Sequence, residues 1–362
     1  MSTLKVNALN NDGSAIDLPN SFKLGGNPIE QGYTSSASEP TSPSTGDLWW
    51  DSANEKLYQY LNGEFKEISL VPANNWYGDR GLIAGGLTSS SVKLNTIDYF
   101  DHSTTGNTTD FGDLTTGRFA AGTASDGRYG VFIGGSTGSN TNVIDYVTVA
   151  TTGNATDFGD MRVAARNSTQ GIGDGTYGVY SNNANSTNNI DYITIATPSN
   201  STLFGTLTQS RDYSGGHSDG TTGFICGGSQ STNKLNIIDY VTIATTGNAT
   251  DFGDLTEGRS TQGGGDESRC VMGGGESTSG NSNVIDYFAT ATAGNATDFG
   301  DMFSARRYMA ATTNFTRVVW AGGFSHTNII QYVTIQTTGN GTDFGDLSSS
   351  VNSPFGTSGA AA

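Results

Sequence analysis

Chemistry needs nucleophiles, acid–base groups or metal ligands brought together, and the residues able to supply them are few in this chain. It holds three histidines, His102, His217 and His326, and two cysteines, Cys226 and Cys270. The histidines fall at unlike positions along the chain, so no pair has metal-ligand spacing and each reads as a surface or turn residue. Both cysteines sit in apolar runs, GFICGG and RCVMGGG, which predicts two buried thiols rather than a disulfide or a metal site. Carboxylates are more numerous. The run TDFGD occurs five times without the Gly-rich phosphate loop or strand lysine of a phosphoryl-transfer site, so its repetition marks architecture. Pairs such as Asp157 and Asp160 offer two carboxylates per loop, where Ca²⁺ wants six or more oxygens. Gly171-Ile172-Gly173 opens no helix and reads as a turn rather than a dinucleotide fingerprint. No catalytic residue, metal ligand or cofactor is expected.

Composition narrows the partners. The chain has 362 residues with 17 Lys plus Arg against 34 Asp plus Glu, a formal charge of −17. Phosphate backbones repel such a chain, and no basic cluster offsets the balance locally, so nucleic acid is excluded. No window reaches the ~18 consecutive apolar residues of a membrane span. The opening MSTLKVNALNNDG lacks the apolar stretch of a signal peptide, so neither Sec export nor use of the Asn-x-Ser/Thr sequons is expected. Glycine occupies 51 positions, about twice the usual share, which fits turn-rich β structure.

Internal repeats organise the chain from about residue 76 onward. Ile-Asp-Tyr recurs with its central residue at Asp98, Asp145, Asp191, Asp239 and Asp286, then as Gln331, at spacings of 47, 46, 48, 47 and 45. Twelve residues later stands the first Asp of TDFGD, at Asp110, Asp157, Asp251, Asp298 and Asp343, with Leu203 in a degenerate third repeat. A third anchor is an apolar run ending in Gly85-Gly86, Gly134-Gly135, Gly227-Gly228, Gly273-Gly274 or Gly322-Gly323, with Ser181-Asn182 in the third repeat. Each repeat reads as four short strands separated by turns; in the second these are 118–123, 129–133, 143–151 and 158–161. The third strand is apolar or β-branched on both faces, so both must be covered.

A four-stranded unit of ~40–50 residues covered on both faces and repeated six times predicts an all-β fold, a six-bladed β-propeller. The order of anchors, an Arg, an apolar run, Gly-Gly, Tyr and an aromatic before Leu or Met, resembles the kelch repeat family. Phe111, Phe158, Phe204, Phe252, Phe299 and Phe344 take the aromatic place. The repeats begin at a second strand, 80–86, and end with an unmatched first strand at 348–358. That C-terminal strand is expected to complete the first blade as its innermost strand, leaving no open edge. The propeller then spans 76–362.

A carboxylate on a strand covered from both sides needs a partner. Arg118, Arg166, Arg211, Arg259 and Arg306 follow Asp98, Asp145, Asp191, Asp239 and Asp286 by 20 or 21 residues, and Gln331 is followed at 20 by Val351. The joint loss of both charges predicts that each Asp pairs with the Arg opening the next blade. Asn107, Asn154, Asn248, Asn295 and Asn340 recur in TTGN, TAGN turns, where Asn suits turn geometry.

Residues 1–75 differ in kind. An N-terminal segment, 1–33, and a Ser/Thr/Pro linker, 34–45, precede a small three-stranded β module, 46–75, with an Asn62-Gly63 hairpin. GDLWWDSANEKLYQYLNGEFKEI resembles a module of bacteriophage tail-fibre and other virion proteins, and STLKVNALNNDG resembles the start of virion proteins of marine and cyanobacterial phages. The resemblance implies a non-enzymatic virion protein, a tail fibre or similar appendage and a homo-oligomer, anchored to other virion proteins by 1–33 and displaying the propeller toward host surface polysaccharide. The competing class is a soluble bacterial kelch-like binding or scaffold protein. The loops before the third strands, 87–94, 136–142, 181–189, 229–235, 276–283 and 324–327, differ most between repeats and are where a ligand surface is expected.

Overall fold

The structure, a computed structural model, describes residues 78–166, 171–182 and 187–360 continuously and, between 23 and 68, the strands given below with a few connecting residues. The chain divides into two compact units, 1–73 and 74–362. Most of the predicted anchor, 1–22, lies outside the described residues.

The second unit is a six-bladed β-propeller. Blade 2 shows the pattern: Gly122–Ser125, Tyr129–Ile133, Val143–Thr148 and Thr156–Asp160 pair antiparallel in that order. Blades 4, 5 and 6 repeat it, starting at Gly215–Ser218, Arg259–Gly265 and Ala310–Thr313. Blade 3 has Tyr177–Asn182, Asn189–Thr194 and Thr202–Thr206, and on its inner side Gly173 bridges Gly178; 167–170 lie outside the described residues.

Blade 1 is built from both ends of the unit, Phe355–Gly359 lying beside Arg80–Ala84, then Thr96–Asp101 and Thr109–Asp113. Phe355 faces Ala84 and Gly359 faces Arg80. The closing strand is thus shorter than the predicted 348–358, because Ser348–Val351 continue the last strand of blade 6, Thr342–Val351.

Six apolar clusters hold the ring, one at each junction between neighbouring blades. Between blades 2 and 3, for example, Val131, Ile133 and Ile144 meet Tyr180, Ile193 and Ile195, all buried. Each fully buried Val, Leu, Ile or Phe contributes roughly 1.5–3 kcal/mol, so closure of the ring adds a whole junction.

The Phe of TDFGD is the extra residue of a bulge present in every blade: in blade 2, Ile144 faces Gly159 and Asp145 faces Asp157, skipping Phe158. The bulge turns Phe158 onto Tyr146, ring centroids 5.7 Å apart and edge to face. The following glycine is obligatory: Gly159 has φ 139°, and a Cβ there would lie 2.7 Å from the Ser199 carbonyl oxygen of the next blade.

In the first unit, Leu48–Asp51, Lys56–Leu61 and Glu64–Ile68 form the expected antiparallel strands. A fourth strand, Tyr33–Ser36, runs parallel to Leu48–Asp51 and takes up the start of the segment read as linker. Trp49 fixes it there: its indole Nε1 donates to the Ser36 carbonyl at 3.1 Å, and its ring stacks on Tyr58 at 5.0 Å.

Candidate functional site

The Asp–Arg pairs form within blades, not between them. Arg118 meets Asp145 at 2.6 Å, Arg211 meets Asp239 at 3.0 Å and Arg259 meets Asp286 at 2.8 Å, all six side chains fully buried. Each Arg opens the blade whose third strand carries its partner, 27 or 28 residues downstream. The expected pairs Asp98–Arg118, Asp145–Arg166, Asp191–Arg211, Asp239–Arg259 and Asp286–Arg306 are therefore shifted by one blade. The reason is reach: inside one blade the first and third strands are separated only by the second, and the Arg118 and Arg211 guanidinium groups also donate to second-strand carbonyls, Phe132 at 3.3 Å and Ile225 at 3.0 Å.

With the register corrected, the missing charges fall in different blades. Blade 1 keeps Asp98 but has Val351 in place of the Arg, and Asp98 accepts from the Ser348 hydroxyl at 2.6 Å and the Thr108 hydroxyl at 3.0 Å. Blade 6 keeps Arg306 but has Gln331, and there Arg306 Nη2 and Gln331 Nε2 find no partner. In blade 3, Arg166 is exposed, while Asp191 is met by Arg162 at 3.0 Å and by the Asn182 amide at 2.8 Å. Asn182 stands where the other blades have the second glycine of the pair, and where that glycine is present, as at Gly228, the Arg stem packs against it.

What joins one blade to the next recurs in the sequence, but only the fold shows what the recurring side chains reach. The residue after the Leu that ends TDFGDL reaches into the following blade: Thr115 donates to Asp145, Thr208 to Asp239 and Thr256 to Asp286, hydroxyl to carboxylate at 2.6, 2.6 and 2.5 Å. The turn asparagines do more than form turns. Asn107, Asn154, Asn200, Asn248, Asn295 and Asn340 each accept, through Oδ1, the backbone N–H that ends the preceding blade's fourth strand, at 2.9–3.1 Å. These six bonds run around the entire ring.

His102 and His217 are buried, contrary to the surface reading, because they too connect blades. His102 Nδ1 lies 2.9 Å from the Asp79 carbonyl oxygen and Nε2 2.9 Å from Thr312 Oγ1 in blade 6; His217 Nε2 lies 3.0 Å from the Asp266 carbonyl oxygen in blade 5. Burial pushes each imidazole down to about 4, so both are neutral at pH 7. Cys226 and Cys270 are buried and free, as their apolar runs imply.

The propeller axis is lined by small first-strand residues that bond to the neighbouring blade: the Thr123 hydroxyl to Gly356 O at 2.7 Å, Ser358 to Thr313 O at 2.7 Å and Ser218 to Gly173 O at 2.6 Å. At one end it opens into a depression lined by residues of five blades, including Ala120, Tyr213, Gln262, Tyr308 and Ser353.

Four of these residues hold a left-handed backbone, with φ 54° at Ala120, 58° at Tyr213, 57° at Tyr308 and 54° at Ser353. A non-glycine residue there is strained. Bonds around the mouth hold it: Ala120 N donates to Ser353 O at 2.9 Å, and Ser353 N to Tyr308 O at 3.1 Å.

Tyr213 and Tyr308 lie with ring centroids 5.0 Å apart, and the Arg307 guanidinium sits 3.9 Å from the Phe324 centroid and 5.1 Å from that of Tyr308. Glu276 anchors the group, accepting from Lys234 at 2.5 Å, from Arg307 and from the Tyr308 hydroxyl at 3.3 Å. Partial burial raises the Glu276 carboxyl, but the bond and charge of Lys234 and the charge of Arg307 outweigh it and hold it below the usual range. Burial pushes the Tyr308 phenol up to about 12.

Lys234, Glu276 and Phe324 come from three of the loops expected to carry a ligand surface. Tyr213, Arg307 and Tyr308 come from connections between blades and were not singled out; Arg211-Asp212-Tyr213 and Arg306-Arg307-Tyr308 are the signal that could have found them. No protein-family model matches the chain, and no curated protein matches it significantly.

Proposed function

We propose that the chain is a non-enzymatic virion protein of a bacteriophage, a tail fibre or similar appendage, anchored through residues 1–33 and presenting a kelch-like propeller to a host surface glycan. The observation that carries the recognition part of this reading is the division of labour in the propeller. Its recurring Asp and Arg residues are spent on buried pairs within blades and its recurring Thr and Asn residues on bonds between them, whereas the aromatic and charged residues at the axial mouth recur in no such pattern. The kelch-like order of Arg, Gly-Gly, Tyr and Phe supports the family reading. A separate N-terminal unit, with its phage-like GDLWWD stretch, supports the virion reading over a free bacterial scaffold, which has no need of an anchor. Identical copies on one particle would add avidity to weak single contacts.

Immunogold labelling of purified particles with antibodies to this chain tests the proposal. Labelling of an appendage is expected, and its loss when residues 1–33 are deleted. Unlabelled particles would overturn the virion reading.

A further inference from the structure

We infer that the axial mouth between blades 4, 5 and 6 is a saccharide subsite in which one sugar ring packs on the Tyr213–Tyr308 pair. The inference rests on the glycan-contact reading above and locates that contact. The two phenol rings are half-buried, with centroids 5.0 Å apart and planes at 31° to one another, and offer aromatic surface on which the C–H face of a pyranose packs. Neutral polar groups lie beside them in the depression. Ser260 and Gln262 line the same depression, and Gln262 Oε1 is a buried acceptor without a partner, matched to a sugar hydroxyl.

The charges set limits on the ligand. Lys234 and Arg307 are neutralised in part by Glu276, within a chain of formal charge −17, so a polyanion such as nucleic acid is repelled at long range. A peptide strand has no room to add to the sheets here, because the inner edge strands converge on the axis, where they bond to neighbouring blades, and the other free edges are those of the fourth strands on the outside. A neutral sugar meets the aromatic surface and the amide without either cost.

The strained backbone fits the same role. Tyr213 and Tyr308 occupy equivalent places in blades 4 and 6, and the left-handed conformation aims both rings across blade 5 toward each other. Bulky residues are held in that conformation where ring-to-ring bonds over-determine it, a property that clusters at binding sites.

The test is binding of the full chain to a printed array of bacterial lipopolysaccharides, capsular polysaccharides and simple sugars. Variants Tyr213→Ala, Tyr308→Ala, Tyr308→Phe and, on an exposed turn at the opposite face, Thr152→Ala are compared after melting curves show that each folds. Loss of one stacking partner should weaken binding about tenfold in each Tyr→Ala variant, the equivalent of about 1.4 kcal/mol. Thr152→Ala should bind like the parent, and Tyr308→Phe, which keeps the ring, should restore binding that Tyr308→Ala loses. Parent-like binding by both Tyr→Ala variants would overturn the subsite while leaving glycan contact standing. A parent chain that binds no glycan on the array would overturn both.

Discussion

Replacing Asp145 by Asn keeps the shape of the side chain and removes its charge. Arg118, fully buried and 2.6 Å away, then becomes an uncompensated cation, with only the carbonyls of Thr116 and Phe132 to accept from it. Burial already pulls that guanidinium below its ordinary range, against the pull of the Asp145 charge. Breaking one side of a buried pair costs about 3–5 kcal/mol. A unit the size of 74–362 unfolds with an entropy of roughly 0.6 kcal/mol/K, so Tm should fall by about 5–8 °C. Differential scanning calorimetry of the parent, Asp145→Asn, Arg118→Met and the double variant reads this directly. The double variant should lose less than the two singles combined, since it strands no charge. Asp145→Asn melting within about 1 °C of the parent would refute the reasoning.

The converse change is in blade 6: Gln331→Asp should give Arg306 the carboxylate it lacks and raise Tm by about 2–5 °C, from about 1.5–3 kcal/mol for a charged hydrogen bond, and a lower Tm would contradict the corrected register. Truncation after Ser353 removes the inner strand of blade 1 and Phe355 from the junction of blades 1 and 2, so the propeller should melt well below the full chain; an unchanged transition would contradict ring closure. His102 and His217 titrate near 4 when folded and near 6.5 when unfolded, so the unfolded chain takes up protons first. Stability from each is complete above about pH 6.5 and declines by about 3 kcal/mol as pH falls to 4, which urea titrations at pH 7.5 and 4.5 would detect as a lower midpoint at acid pH. Ala120→Gly ordinarily would cost about 0.5–1 kcal/mol, but relief of the left-handed strain of about 1–2 kcal/mol should leave Tm unchanged or higher.

The six-bladed ring was readable because it is written six times: Ile-Asp-Tyr and TDFGD fix third and fourth strands, and chain ends out of phase point to closure. The ion-pair register was not readable from spacing, because an Arg between two Asp residues lies 20 positions from one and 27 from the other and only folding shows which is near. The glycine pair of the fifth repeat shows the same limit: the left-handed residues are Gly274 and Gly275, one place beyond Gly273-Gly274, since in GGG any two could turn. The mouth escaped notice for the opposite reason. Tyr213 and Tyr308 recur in only two blades, and residues distant in sequence meet there only because the ring closes.

The central claim is that this propeller is carried on a phage particle with its axial mouth outward. Cryo-electron microscopy of purified particles, sought for this chain, tests it most directly. The account predicts six-bladed density on an appendage, with the Tyr213–Tyr308 mouth facing solvent. Particles without such density, or with that mouth buried against another virion protein, would contradict it.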